Sequence, residues 1–373
     1  MTVISPAASN LLNYTSAGTA YARTAAVADP FAANDSTVPQ NATTVTLSDE
    51  ARALLAAQTT TGDFATVTGK ARTALDQLYK EAKVTVPLAG GKPTIDLSAL
   101  DRRTLFAIAS NNEGKFTADE QVVAAKELQR RFDATIAPKI AASDLTGDYS
   151  AAYKAALDYM DAASAEEKAS AGWAQQRAAL SQGYKAAQLR PDVLPEGIDG
   201  DPIADLVVRT AEKPATVGIA DFGALANAVR TSLDHQYIAA KRAGTELVFD
   251  PQRKTGQQAD LSGFDNRALS AISLNQGNGF SAIEMRAAKK ELDGRTRAAM
   301  LQALQGNNGD PRGFSYNLLS QYASMSSEER QAVSWTTDFR DQAVANFKTA
   351  SSLLSMLSQL NAGQSDPTAG FFA

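Results

Sequence analysis

Apolar residues recur three and four positions apart through much of this chain, a spacing that places them on one face of a helix. Leu75, Leu78 and Tyr79 form one such face. Polar, Ser/Thr-led stretches that can cap helices interrupt these segments at intervals. The pattern therefore predicts a mainly α-helical fold in which amphipathic helices pack around apolar cores.

One block of this pattern occurs twice. Residues 96–128 and 260–292 align without a gap, and about half of the aligned positions are identical. The shared residues of the first copy are Asp96, Leu97, Ser98, Asp101, Arg103, Leu105, Ala107, Ile108, Asn111, Phe116, Ala118, Glu120, Ala124, Lys126, Glu127 and Leu128. An internal match of this length predicts that the chain contains two copies of one structural unit.

The match extends on both sides of the block. Upstream, Arg72, Asp76 and Tyr79 return as Arg230, Asp234 and Tyr237; downstream, the two tryptophans, Trp173 and Trp335, fall at equivalent positions. The sequence therefore predicts two tandem homologous helical domains, each with a helix-loop-helix core. Short β-branched runs around Gly and Pro indicate a small β-hairpin or an extended loop before each core.

The predicted organisation follows from where periodicity begins and ends. An aperiodic Ser/Thr/Asn-rich tail is expected to be disordered or extended, and a Pro/Gly/Asp-rich stretch is expected to link the repeats. The predicted segments are a tail at 1–45, a short helix and connector at 46–62, repeat 1 at 63–190, a linker at 191–216, repeat 2 at 217–360 and a tail at 361–373.

Helix-capping patterns mark the elements inside the repeated block. Ser98 and Ser262, each with an aspartate three residues later, predict the start of a short helix that ends near Ala109 or Ser273. Thr117-x-x-Glu120 and Ser281-x-x-Glu284 are capping boxes that predict a long helix ending near Arg131 or Thr296. Each repeat is thus expected to contain a short helix, a polar loop and a long helix.

The amino-acid composition argues against several classes of partner and site. The chain of 373 residues has a formal net charge of −5 and no cysteine. An acidic chain lacks the basic field that holds a phosphate backbone, so nucleic acid is not expected as a partner. Without cysteine there are no disulfides or thiolate metal sites, and no apolar run reaches the length of a transmembrane helix.

The polar loop and the following helix start resemble an EF-hand. In that motif a 12-residue loop closes with a glutamate at position 12 and carries oxygen ligands at earlier odd positions. With Glu120 at position 12, Asn111 falls at position 3 and Glu113 at position 5. In the second copy, Asn275 and Glu284 take positions 3 and 12. The resemblance implies one calcium site in each copy, formed by Asn111, Glu113 and Glu120 in the first and by Asn275 and Glu284 in the second.

The ligand set is poor for calcium, and a structural role explains the same residues. The usual aspartate at position 1 is absent from both copies, so any affinity is expected to be weak. Capping boxes at Thr117/Glu120 and Ser281/Glu284 stabilise a helix start by about 1 kcal/mol without an ion. Asn111 and Asn275, kept in both copies, are candidates for a left-handed turn or for a binding residue.

These observations favour a non-enzymatic binding or structural protein that has a protein partner, no catalytic residues and no cofactor. The Ser/Thr-rich, charge-poor tail resembles the uncleaved signals of flagellar and type III export substrates. That resemblance implies a bacterial protein of a surface, flagellar or secretion system, exported without a cleaved signal peptide, against the alternative of a cytoplasmic one. Two alternative functions stay open: a calcium-responsive regulator and a hydrolase that uses dispersed carboxylates.

Overall fold

The computed structural model of the protein describes residues 62–212, 221–306 and 310–363. These residues form thirteen α-helices and two very short sheets, so the predicted mainly helical class is confirmed. The predicted tail at 1–45, nearly all of the connector at 46–62 and most of the tail at 361–373 lie outside the described residues.

The described residues divide into two compact units. Unit 1 comprises residues 62–137 and 148–212, and unit 2 comprises residues 138–147, 221–306 and 310–363. The elements of residues 62–212 are α1 (Phe64–Ala82), β1 (Leu88–Ala89), β2 (Lys92–Pro93), α2 (Arg102–Ser110), α3 (Ala118–Thr146), α4 (Tyr149–Asp161), α5 (Ala165–Lys168), α6 (Ala171–Leu189) and α7 (Pro202–Glu212). The end of α3, from residue 138, groups with unit 2.

The later part of the chain contains a similar series. Its elements are α8 (Phe222–Arg242), β3 (Leu247–Val248), β4 (Gln257–Gln258), α9 (Asn266–Ser273), a single 3₁₀ turn (Gln276–Asn278), α10 (Ala282–Gly306), α11 (Pro311–Ser324), α12 (Ser327–Ala332) and α13 (Thr337–Gly363). None of the described helices combines the length and the apolar character that crossing a membrane requires.

The apolar positions shared by the two sequence copies form the core of each unit. In unit 1, α1, α2 and the start of α3 bury Leu75, Leu105 and Phe116. In unit 2, Leu233, Leu269, Ile272, Phe280 and Leu292 are buried in the equivalent way. Burial of each such side chain stabilises the fold by roughly 1.5–3 kcal/mol. The apolar residues that recur in the two copies are therefore the ones that stabilise the core of each unit.

The short helices begin one turn later than Ser98 and Ser262 suggested. Their N-caps are Asp101 and Asp265, whose carboxylates accept hydrogen bonds from the Thr104 N–H at 2.9 Å and the Ala268 N–H at 2.6 Å. The serine-cap prediction is therefore wrong. An aspartate oxygen satisfies the free helix N–H as well as a serine does and also interacts favourably with the helix dipole.

The long helices extend beyond their predicted ends at Arg131 and Thr296. Helix α3 continues to Thr146 and helix α10 to Gly306. In α3 the buried residues Phe132, Ile136 and Ile140 maintain a four-residue spacing past the predicted end. Tertiary packing of this face carries the helix through Pro138, which interrupts the sequence signal because proline usually breaks a helix.

The predicted hairpin forms in the first copy only. Strands β1 and β2 pair antiparallel around Gly90 and Gly91, and both glycines have the positive φ that a tight two-residue turn requires. In the second copy, β3 and β4 pair in parallel across a longer loop. The loop at this position therefore differs in geometry as well as in sequence between the copies.

Part of the predicted linker is a helix. Asp201 caps α7 by accepting a hydrogen bond from the Ile203 N–H at 2.9 Å, and Pro202 occupies the first helical position, where its missing N–H has no cost. Ile203 and Leu206 are almost fully buried. Pro, Gly and Asp are common in linkers and also at the capped start of a helix. The composition of this stretch therefore predicted a linker where part of the chain forms a helix.

Candidate functional site: the duplicated helix-loop-helix

The loop between the short and long helices turns at an asparagine in both units. Asn111 and Asn275 have left-handed backbone conformations, with φ of 46° and 51°. The side-chain Oδ1 of Asn111 accepts a hydrogen bond from the Phe116 N–H at 2.8 Å, and that of Asn275 accepts one from the Phe280 N–H at 2.9 Å. Asn111 is the C-cap of α2 and Asn275 begins the 3₁₀ turn after α9, and the side chain of each fixes the approach to the following long helix.

The capping boxes predicted at the start of the long helices are present. In unit 1, the Thr117 N–H donates to Glu120 Oε2 at 2.8 Å, while the Glu120 N–H donates to Thr117 Oγ1 at 3.3 Å. In unit 2, Ser281 and Glu284 make the same reciprocal pair at 2.7 and 3.3 Å. These bonds satisfy backbone donors that the helix itself leaves free.

In unit 1 the capping glutamate is also the centre of a buried polar cluster. Glu120 is 4% exposed, and the Arg72 Nη1 donates to both of its carboxylate oxygens at 2.9 Å. The Tyr79 hydroxyl donates to Glu120 Oε1 at 3.0 Å. Helix α1 therefore binds the start of α3 through a charged pair and a hydroxyl.

Unit 2 repeats the charged pair. Glu284 is 2% exposed, and the Arg230 Nη1 donates to its Oε1 at 2.9 Å. The Arg230 guanidinium also lies 5.6 Å from the centre of the Phe280 ring, as the Arg72 guanidinium does from Phe116. The arginine–glutamate pair and the arginine–phenylalanine contact therefore occur in both units.

The electrostatics of the cluster keep the glutamates charged. Burial raises the pKa of Glu120, but the hydrogen bonds from the Thr117 N–H, Arg72 and Tyr79 outweigh it and hold the pKa below its usual value. The pKa of Glu284 is lowered in the same way, against burial, by Ser281 and Arg230. In turn, burial and then the Glu284 charge raise the pKa of Tyr237 to about 12. Two anionic, fully engaged carboxylates result.

The structure gives the EF-hand-like residues separate partners. Glu113 pairs with Lys115, Nζ to Oε2, at 2.5 Å near the surface. Asn111 and Asn275 bond backbone N–H groups, while Glu120 and Glu284 bond arginines. Among the residues that the structure describes, no three His, Asp or Glu side chains are grouped as a metal site. A calcium ion would compete with the arginine for each glutamate, and calcium binding stays an untested alternative to the capping role.

In each copy, the recurrent aspartate and the recurrent arginine have different roles. Asp101 is a helix cap, while the Arg103 side chain pairs with Glu166, Nη2 to Oε1, at 2.5 Å. In unit 2, Asp265 is a cap and the Arg267 Nη2 lies 3.8 Å from Glu328 Oε1. The Arg103–Glu166 pair joins the short helix to α5, whereas Arg267 Nε and Nη2 are buried without a hydrogen-bond partner among the described residues, so the contact with α12 in unit 2 is not equivalent.

Sequence reasoning missed a second arginine of the framework. Arg131 donates to the backbone carbonyls of Ser98 at 2.9 Å and Leu100 at 2.6 Å, in the loop before α2. Arg295 donates to the carbonyl of Phe264 at 2.8 Å in the matching loop of unit 2. Arg131 and Arg295 occupy aligned positions, three residues after the repeated block ends at Leu128 and Leu292. Their recurrence in both copies is therefore the sequence signal for this role.

Comparison with protein-family models, with curated proteins and with solved structures gives no match in any of the three. For the described residues the fold therefore defines only the broad class, a mainly α-helical protein with two very short sheets.

Proposed function

We propose that the chain is a non-enzymatic binding or structural protein built from two tandem homologous helical domains. The duplicated framework carries this proposal, because residues shared by the two copies are occupied with holding helices together. Asn111, Glu120 and their counterparts Asn275 and Glu284 bond within their own units. A common scaffold thus explains the sequence similarity of the two copies. We therefore assign recognition of a partner protein to the residues that differ between them.

The main difference lies at the same place in each scaffold, between the first helix and the short helix. The first copy has the compact β1–β2 hairpin, whose exposed cation is Lys92. The second copy has a longer loop around β3 and β4 that carries Glu246, Asp250 and Arg253. Surface loops on a rigid scaffold commonly carry binding residues. We assign these two loops as paired but different recognition surfaces for a protein partner.

Export to a bacterial surface, flagellar or secretion system is a further part of the proposal. Its support is the Ser/Thr-rich composition of residues 1–45, which lie outside the described residues. Fractionation of the source cells tests this part separately. Protein in the medium or envelope is expected, and protein confined to washed cytosol contradicts export.

Site-specific photo-crosslinking tests the recognition surfaces. A photoreactive residue at Lys92 or at Arg253 is expected to capture a discrete partner protein in the source cells. The matched control is Lys154, an exposed residue on α4 far along the chain from either loop. Equal capture from the control position, or capture from neither loop, contradicts the assignment.

A further inference from the structure

One lysine of unit 2 lies among uncharged groups. Lys139, in the part of α3 that groups with unit 2, donates from Nζ to the side-chain Oδ1 of Asn317 on α11 at 3.0 Å. The same nitrogen lies 5.8 Å from the centre of the Tyr316 ring. No carboxylate of the described residues forms an ion pair with Lys139. A cation in these surroundings loses hydration without gaining a counter-ion.

The groups around the amine are held in place by further hydrogen bonds. The Tyr316 hydroxyl donates to the Lys139 carbonyl at 2.7 Å and lies 3.0 Å from the Ser143 hydroxyl, one helical turn along α3. Tyr316 is 4% exposed and Ser143 is fully buried. Asn317 follows Tyr316 directly on α11, so the fixed tyrosine also fixes the position of the amide oxygen. The amine is therefore held in one position.

These surroundings favour the neutral form of the amine. Burial lowers the pKa of Lys139 from its usual value of 10.5 to about 8, because the charged form is penalised and no anion of the described residues compensates. The neutral amine donates an N–H to Asn317 and keeps its lone pair free, since the amide oxygen only accepts. A desolvated lysine with a free lone pair is an activated nucleophile.

The uncharged contacts also select the product of a reaction at this amine. Carbon dioxide would give an anionic carbamate, which gains no counter-ion from Asn317 or from the Tyr316 ring. An acyl group gives an uncharged amide, whose N–H can keep the hydrogen bond to Asn317. Because Lys139 is only partly exposed, a short acyl group fits better than a long one. The surroundings therefore favour transfer of a short acyl group.

We propose that Lys139 is a modification site that accepts a short acyl group from an activated acyl donor, an acyl phosphate or a thioester. The lone pair of Nζ attacks the acyl carbon, and a C–N bond forms. The bond from that carbon to the phosphate oxygen or to the thiol sulfur breaks, and phosphate or thiolate leaves with the electron pair. The amine releases one proton to water, and the product is an uncharged N-acyl-lysine.

Acetylation of the full chain at pH 7.5 tests the proposal. One arm uses acetyl phosphate and the other a small acetyl thioester, and mass spectrometry quantifies each lysine. At this pH about a quarter of amines with a pKa of about 8 are neutral, against about one in a thousand ordinary lysines. Nucleophilicity falls with pKa, so Lys139 should react at least about 10-fold faster than the exposed, ion-paired Lys154. Reaction with either donor supports the proposal and identifies the source of the acyl group.

The matched control is Asn317→Asp, which keeps the shape of the side chain and places a carboxylate beside the amine. The new charge stabilises the ammonium, so acetylation at Lys139 should fall at least about 10-fold while that of Lys154 is unchanged. A second measurement uses the wild type alone. The rate of acetylation at Lys139 should rise with pH and level off above pH 8, as the remaining amine becomes neutral.

Three results overturn the proposal. The first is a wild-type Lys139 that reacts no faster than Lys154 with both donors. The second is a folded Asn317→Asp variant that is acetylated as fast as the wild type, which would mean that exposure alone sets the rate. The third is a rate at Lys139 that rises up to pH 10 without levelling, which is the behaviour of an ordinary lysine.

Discussion

Asn111 and Asn275 hold a backbone conformation that most residues avoid. Asparagine tolerates the left-handed region, and its short side chain can also accept a local hydrogen bond. Both properties are used here, since each side chain bonds the N–H of the phenylalanine five residues later. The two asparagines are therefore conformational residues in both units, which accounts for their occurrence in both copies.

Replacement of Asn111 separates its two roles. Asn111→Ala should lower the free energy of unfolding by about 2 kcal/mol, since alanine strains the left-handed turn and lacks the acceptor. Asn111→Gly should cost only about 1 kcal/mol, because glycine restores the conformation but not the bond. Urea unfolding followed by circular dichroism measures both. Equal losses would contradict the conformational role.

The pH dependence of stability should follow the lowered pKa of Glu120. A carboxyl whose pKa is lower in the folded state stabilises the fold above its unfolded pKa, near 4.5, and loses that contribution as the pH falls through the folded value. The difference in unfolding free energy between wild type and Glu120→Gln should therefore shrink below pH 4.5. Urea unfolding from pH 7 to pH 3 checks this, and a constant difference would contradict it.

Calcium binding can be tested on the same glutamates. Because Arg72 and Arg230 occupy the carboxylates, millimolar Ca²⁺ is expected to give no calorimetric heat and no thermal shift. The double variant Glu120→Gln/Glu284→Gln serves as the control. Heat from the wild type that this variant lacks would establish the EF-hand-like alternative.

At the scale of the elements, close helix packing makes one glycine necessary. A Cβ on Gly183 of α6 would lie 2.1 Å from the ring of Tyr153 on α4. Tyr153 is fully buried, and its hydroxyl donates to Asp201, the cap of α7. One small residue thus allows three helices of unit 1 to meet around a tyrosine.

A pair of glycine substitutions tests this packing. Gly183→Ala should destabilise the protein by about 1–3 kcal/mol, because the tyrosine must move. Gly69→Ala in α1 meets no atom within 4 Å and should stabilise it by about 0.5–1 kcal/mol, as alanine favours a helix. Thermal unfolding of both variants gives the comparison. The same sign for both would contradict the close packing of α6 on Tyr153.

Local signals in the sequence predicted helices better than they predicted contacts. The capping boxes at Thr117 and Ser281 form as expected because their partners lie three residues away. The partners of Glu120 include Arg72 and Tyr79, more than forty positions away, and spacing alone cannot pair them. The ends of α3 and α10 were underestimated for a related reason, since tertiary packing extends helices past weak local signals.

The EF-hand-like spacing shows the limit of a motif read in isolation. The spacing places Asn111, Glu113 and Glu120 in one loop, but it does not specify where each side chain points. In the folded unit, each has a different partner outside the set. The same spacing of polar residues can therefore belong either to a calcium site or to a set of helix caps and ion pairs. Only the geometry of the side chains distinguishes these alternatives.

At the scale of the whole molecule, we propose two copies of one helical framework, each held by its own Arg–Glu cluster. If this holds, the two clusters are independent and equivalent. Removing the charge of either glutamate should cost about 2 kcal/mol, since the buried arginine bonds are weakened. The effect should be confined to the unit that contains the change, because each cluster lies within one unit.

Hydrogen exchange measured by mass spectrometry on wild type, Glu120→Gln and Glu284→Gln tests this proposal most directly. Glu120→Gln is predicted to speed exchange in residues 64–128 and to leave residues 222–292 unchanged. Glu284→Gln should give the reverse, in peptides at the aligned positions. Faster exchange in the same region for both variants, or a uniform change across the chain, would contradict two independent copies of one framework.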